Sequence, residues 1–152
     1  MKEDSIKIFD DNFEQVCDIC DKTYAHEELL RMLNSGNVSE KQLAALKFDY
    51  IRNSNDANAL LNNLTGCDGK IREAVAFTIN KFIKSDSATA EIFSILSAEI
   101  FAKASIDINA NICRFVIDTI PYLIINKTFA DSYSLMILNF INEALEELSK
   151  FI

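Results

Sequence analysis

The sequence predicts an all-α fold, a short solenoid of stacked helical hairpins with about eight helices in one domain spanning residues 1–152. Three observations predict it. The 152 residues include 3 Gly and 1 Pro, too few turn formers for a sandwich or a doubly wound sheet. Apolar residues recur every three or four positions in one segment after another. Most clearly, the stretch Asp68–Ile83 reads as a turn and helix start at Asp68-Gly69, followed by Ile71, Val75, Thr78, Ile79 and Phe82 at helical spacing. Leu60, Leu61 and Leu64 form a shorter apolar helix just upstream, cut off by Thr65-Gly66. A short helix, a tight turn and a longer helix cannot bury their apolar faces alone, so this unit needs neighbours like itself.

Composition sets the outer limits. With 49% hydrophobic and 25% charged residues the chain is globular and long enough for a sizeable core. Its longest apolar run, around Phe115 to Ile125, is interrupted by Asp118 and Pro121 and falls short of the roughly 18 residues of a membrane span. The acidic N-terminus lacks the apolar core of a signal peptide, so a cytoplasmic protein is expected, with no membrane partner. A net charge of −8 disfavours general nucleic-acid binding. Residues 1–34 hold nine acids against four bases, whereas residues 35–84 hold seven bases against five acids.

The first helix is predicted over about Asp4 to Tyr24, with Ile6, Phe9, Phe13, Val16, Cys17, Cys20 and Tyr24 on one face. Asp4, Asp11, Glu14, Asp18 and Asp21 fall on the other. The bland reading of these acids is a solvated outer face, and the functional one is a contact strip for a basic partner. Cys17-Asp18-Ile19-Cys20 is a CxxC. A redox pair favours a helix N-terminus and a zinc site needs a second close pair of ligands, whereas here both thiols lie mid-helix on the apolar stripe. Core cysteines are the expectation, with no metal and no cofactor.

A short helix follows over about His26 to Asn34, with Leu29, Leu30 and Leu33 as its apolar edge and His26 as a surface or capping residue. Ser39 to Gln42 reads as a capping box that opens a helix running through Leu43, Leu46, Phe48 and Ile51. Asn53 to Asp56 breaks it, with Asn55 or Asp56 capping the next helix. Shifted by about 31 positions, Leu29, Leu30 and Leu33 fall on Leu60, Leu61 and Leu64, while Ala44, Phe48 and Ile51 fall on Val75, Ile79 and Phe82. Ser85-Asp86-Ser87 caps a third first helix through Ile92, Phe93, Ile95, Leu96, Ile100 and Phe101. Asp107 or Asn109 then caps a helix from Ile112 to Ile125, which Pro121 should kink near Ile117. Thr128 with Asp131 opens a last helix through Met136, Phe140 and Leu148.

These residues resemble the HEAT-like repeats of the armadillo superfamily. The pattern is clearest at Asp68, Ile71, Arg72, Val75, Thr78 and Ile79 and covers about residues 27–125, or about three repeats. Residues 1–25 and 128–152 would then be terminal capping helices. In that family an Asp and an Arg form a ladder between repeats; Asp68 and Arg72 occur together only once here. The resemblance implies a short right-handed α-α superhelix whose second helices line a concave face. The outward positions there would be Leu46, Asp49, Arg52, Glu73, Phe77, Lys81, Lys84, Arg114 and Asp118. Phe77 reads either as an exposed binding hot spot or as a core residue in a shifted register.

Chemistry is sparse. One histidine limits acid–base catalysis near neutral pH, and no phosphate loop, nucleophile elbow or HExxH motif is present. The expectation is therefore a non-enzymatic protein-binding module. An acidic inhibitor or immunity protein that neutralises a basic partner such as a nuclease toxin is the sharpest version, with Asp11, Glu14, Asp18, Asp21, Phe77 and Lys81 as partner-binding residues. Two alternatives stand. One is a HEAT-like nucleic-acid-processing protein using Lys41, Arg52, Lys70, Arg72, Lys81 and Lys84 as a basic groove. The other is an assembly adaptor that self-associates through the apolar last helix, Leu135 to Leu148.

Overall fold

The computed structural model describes residues 23–151. The first predicted helix, its CxxC, and Asp11, Glu14, Asp18 and Asp21 lie outside the described residues. Among the described residues the fold is all-α, without strands: eight helices of at least two turns and one four-residue helix. They are α1 (His26–Ser35), α2 (Val38–Lys47), α3 (Ser54–Leu61), α4 (Gly69–Ser85), α5 (Ser87–Ser94), α6 (Ala98–Ser105), α7 (Ala110–Ile117), α8 (Ile120–Leu123) and α9 (Lys127–Ser149).

Short polar side chains start most of these helices by accepting from the free N–H groups of the first turn. Asp68 accepts from the N–H of Lys70 and Ile71 to open α4, as its position in the sequence predicts. Several starts differ from the sequence expectation. The box that opens α2 is Asn37 with Glu40, not Ser39 with Gln42. Asn53 rather than Asn55 or Asp56 opens α3, and Asn126 rather than Thr128 opens α9. In each case two polar residues compete within a few positions, and the earlier one takes the role. The apolar run from Ile92 to Phe101 is also not one helix: Ser97 caps α6 and leaves Ile95 65% exposed at the break. Pro121 does not kink a continuous helix. The chain leaves α7 after Ile117 and restarts at α8, where Pro121 sits in the first turn and its missing donor costs nothing.

Packing follows the apolar faces. Helix α4 lies between α2 and α7, so three helices form one row. On the other side α1 packs on α2 and α3, α3 on α4 and α5, and α5 on α4 and α8. Helix α6 packs on α7 and α9. Leu33, Leu60, Leu61, Leu64, Val75, Ile79, Ile83, Phe93, Phe101, Ile112 and Leu123 are fully buried between the two layers. Polar side chains tie neighbouring helices within each row. Asn63 Nδ2 donates to Leu33 O at 3.0 Å, Thr78 Oγ1 to Ala45 O at 2.7 Å, and Asn80 Nδ2 to Phe115 O at 2.9 Å.

The α1–α2 turn depends on Gly36. A Cβ there would meet Met32 O at 2.5 Å and Glu40 Cβ at 2.9 Å, so the backbone would have to shift. Gly36→Ala is expected to destabilise the protein by about 1–3 kcal/mol, as overpacking does, read as a lower urea midpoint at unchanged slope.

Candidate functional site

The row of α2, α4 and α7 carries an open cleft of about 380 Å³. Gln42 and Leu46 of α2, Lys70, Glu73, Ala74 and Phe77 of α4, and Phe115 of α7 line it. Leu46 and Phe77 are half exposed, and the Phe77 ring meets Phe115 edge-on at 5.7 Å. Phe77 is thus a surface residue on a wall made by the buried positions of its own helix: Ile71, Val75 and Ile79 point into the core. Three polar contacts hold the α4 and α7 parts of the wall together. Asn80 donates to Phe115 O, Asn111 Nδ2 donates to Glu73 Oε1 at 2.8 Å, and the Lys84 ammonium lies 2.6 Å from Asp118. The hydrogen bond from Lys84, with one from Asn80, lowers the Asp118 carboxyl below its ordinary range.

Lys81 is exposed but not part of this cleft; its ammonium lies over the Phe82 ring, 5.1 Å from the centroid. Of the residues expected to bind a partner within the described chain, the cleft takes Phe77 and not Lys81; Leu46 and Glu73, expected at outward positions, and Lys70, named for the basic groove, also line it. Gln42 and Phe115 are not singled out by the sequence, since nothing in their local pattern distinguishes them from other positions on an amphipathic helix.

Below the cleft, Arg72 spans two hairpins. Its Nε donates to Asp107 Oδ2 at 2.9 Å and its Nη1 to the carbonyls of Gly66 and Cys67. Burial works to raise the Asp107 carboxyl, but the hydrogen bonds from Arg72 and the Asn109 backbone outweigh it and hold it low. Asp68 does not take this role, because its carboxylate is committed to the cap of α4.

A second polar cluster lies at the α1 end. His26, expected at the surface, is buried instead. Its ring stacks on Tyr50 at 4.2 Å and tilts against Phe48 at 5.0 Å. Nδ1 lies 2.7 Å from Asp49 Oδ1. Nε2 lies 3.1 Å from Asp56 Oδ2, an ion-pair distance in poor alignment for a hydrogen bond. Asp56 is completely buried and accepts from Arg52 N, Nε and Nη2 at 2.8–3.1 Å. Burial opposes its charge, yet the Arg52 side chain and backbone, with His26, more than compensate and lower its pKa. Arg52 also reaches Glu27 at 2.8 Å. This cluster joins α1, the α2–α3 connection and α3, and its Asp49 also lines a small pocket of about 280 Å³ with Thr23, Tyr24, Leu29 and Lys47. Among the described residues no group of three His, Cys, Asp or Glu side chains is placed to hold a metal ion, and no helix is long and apolar enough to cross a membrane.

Compared with protein-family models, with curated proteins and with solved structures, the chain matches none.

Proposed function

We propose that this protein is a non-enzymatic protein-binding module, a short right-handed HEAT-like superhelix whose α2, α4 and α7 present the binding face. The observation that carries the reading is the Leu46–Phe77–Phe115 cleft: an exposed aromatic on a rigid wall drawn from three packed helices, shaped to take an apolar side chain of a partner. The repeat reading is supported by side-chain bonds that recur at similar separations. Asn63 to Leu33, Thr78 to Ala45, Arg72 to Asp107, Asn80 to Phe115 and Asn126 to Ser94 join residues 30 to 35 apart. Hairpins stacked with a period of about 30–40 residues would produce such bonds.

The partner is a protein with a basic surface, and the module acts as an inhibitor of the immunity-protein kind, neutralising a basic site such as that of a nuclease toxin. The net charge of −8 steers such a partner, and Asp11, Glu14, Asp18 and Asp21 supply the densest carboxylates in the sequence. The nucleic-acid alternative is weakened by pairing. Of the six bases that would line its groove, Arg52, Arg72 and Lys84 already face carboxylates.

With a partner recovered from native extract, Phe77→Ala is expected to weaken binding about 30-fold, the loss of roughly 2 kcal/mol of a hot spot. Reversing Asp11, Glu14 and Asp18 to Lys is expected to weaken it further and to flatten its salt dependence. Unchanged affinity in both variants contradicts the proposal, and a salt-dependent shift of a DNA or tRNA probe favours the nucleic-acid reading.

A further inference from the structure

Helix α9 carries two apolar stripes, and among the described residues only one is packed against the rest of the fold. Phe129, Tyr133, Met136 and Phe140 lie on the side turned to α6: the Phe129 ring meets Phe101 at 5.6 Å, and the Tyr133 hydroxyl bonds Ser105 at 2.8 Å. Burial raises the Tyr133 phenol above its ordinary range, against the Ser105 hydrogen bond. At 100° per residue, Leu138, Ile141, Leu145 and Leu148 share an arc of about 80°, roughly 130° round the helix from the first stripe. All four are about half exposed or more, at 56%, 48%, 58% and 61%. Helix α9 also outruns its support. Its 23 residues extend about 34 Å, whereas the eight of α6 extend about 12 Å.

The second stripe has the spacing of a helix-pairing seam, with steps of three, four and three residues, which seat side chains of one helix in the gaps of another. From Leu138 to Leu148 its borders carry no charge: Asn142, Ala144 and Ser149 flank it, while Glu143, Glu146 and Glu147 point more than about 100° from its centre on the same helical wheel. The charges on the same face, Lys127 and Asp131, lie at the start of the helix, about 10 Å or more before Leu138. That placement matters in a chain of net charge −8. Two copies repel at most surfaces, but along this seam they meet without facing carboxylates.

We propose that α9 is a self-association surface, with two copies of the protein pairing α9 against α9 along Leu138, Ile141, Leu145 and Leu148. The contact is isologous, each copy giving the same stripe. The exposed apolar patch is on the order of 500 Å² per copy, against roughly 800 Å² per partner in a standard stable interface, so the dimer is weak, with a dissociation constant in the micromolar range. The surface is on a different element from the Phe77 cleft, so the two readings stand or fall separately.

Sedimentation equilibrium on the full chain from about 5 to 500 µM tests this, a range chosen to bracket the expected constant. The expected result is a reversible monomer–dimer equilibrium. Leu138→Asp with Leu145→Asp should weaken it at least tenfold while leaving the helical circular-dichroism signal and melting midpoint nearly unchanged, because both side chains are exposed. Glu143→Gln with Glu147→Gln should leave the dimer in place. A monomer across the whole range overturns the proposal. So does a dimer that survives the paired leucine substitutions, or one that the glutamine variant loses as fully.

Discussion

Phe101→Ala is expected to lower the unfolding free energy by about 3–5 kcal/mol, with a fall in Tm on the order of 10 °C. Phe101 is fully buried and is the hinge of an aromatic chain through three helices. It meets Phe93 of α5 at 6.2 Å and Phe129 of α9 at 5.6 Å, both edge-on, and Phe129 in turn stacks on Tyr133 at 5.8 Å. Truncation removes the ring's own burial, two edge-to-face contacts and the wall on which α9 rests. Phe101→Leu should recover more than half of the loss. Urea unfolding of the three proteins checks both values, and equal stability of wild type and the alanine variant would mean that α9 is not docked through this residue.

Asp56→Ala is expected to cost about 3 kcal/mol at pH 7, from the buried charge-assisted hydrogen bonds to Arg52 lost and a buried imidazole left with one carboxylate in place of two. The effect should depend on pH in a way the phenylalanine variant does not. Asp56 is held below its ordinary value in the folded chain, despite burial, by Arg52 and His26. Its contribution is therefore complete above the unfolded value of about 3.9 and is lost as pH falls through the lower folded value. Wild type and Asp56→Ala should converge in stability below about pH 4, whereas the gap between wild type and Phe101→Ala should persist there for as long as both remain folded. A gap for Asp56→Ala that is constant from pH 7 to pH 3 would remove the carboxylate from the account.

Parts of this fold are legible in the sequence because they are local. Helix α4 is fixed by Asp68 at its start and by an apolar stripe whose period leaves no alternative. A shift of about 31 positions matches Leu29, Leu30 and Leu33 of α1 to the Leu60 to Leu64 segment and Ala44 of α2 to Val75 of α4, and those helices do pack on one another, but Phe48 and Ile51, matched to Ile79 and Phe82 of α4, lie beyond the end of α2. The long apolar run from Ile92 to Phe101 hides its own break, because every candidate core residue is equally apolar and only Ser97 marks the cap. His26 shows the opposite limit. Its partners Asp49 and Asp56 lie 23 and 30 residues away, and no local rule brings a histidine at a helix start into a buried pair with them. The same holds for Arg72, whose carboxylate is Asp107 rather than the nearby Asp68. As for the cleft, Phe77 could be singled out as an aromatic at an outward position, but Gln42 and Phe115 join it only through the packing of α2 and α7 on α4.

The claim on which the functional account turns is that a partner protein lands on the α2–α4–α7 face. Site-specific photocrosslinking in native extract measures this directly, with the photoreactive residue at Gln42 inside the cleft and, separately, at Lys127 on the distant start of α9. The account predicts one protein captured from position 42, not from 127, and lost when Phe77→Asp is added. Equal capture from both positions, or capture from position 42 that ignores the change at Phe77, would contradict it.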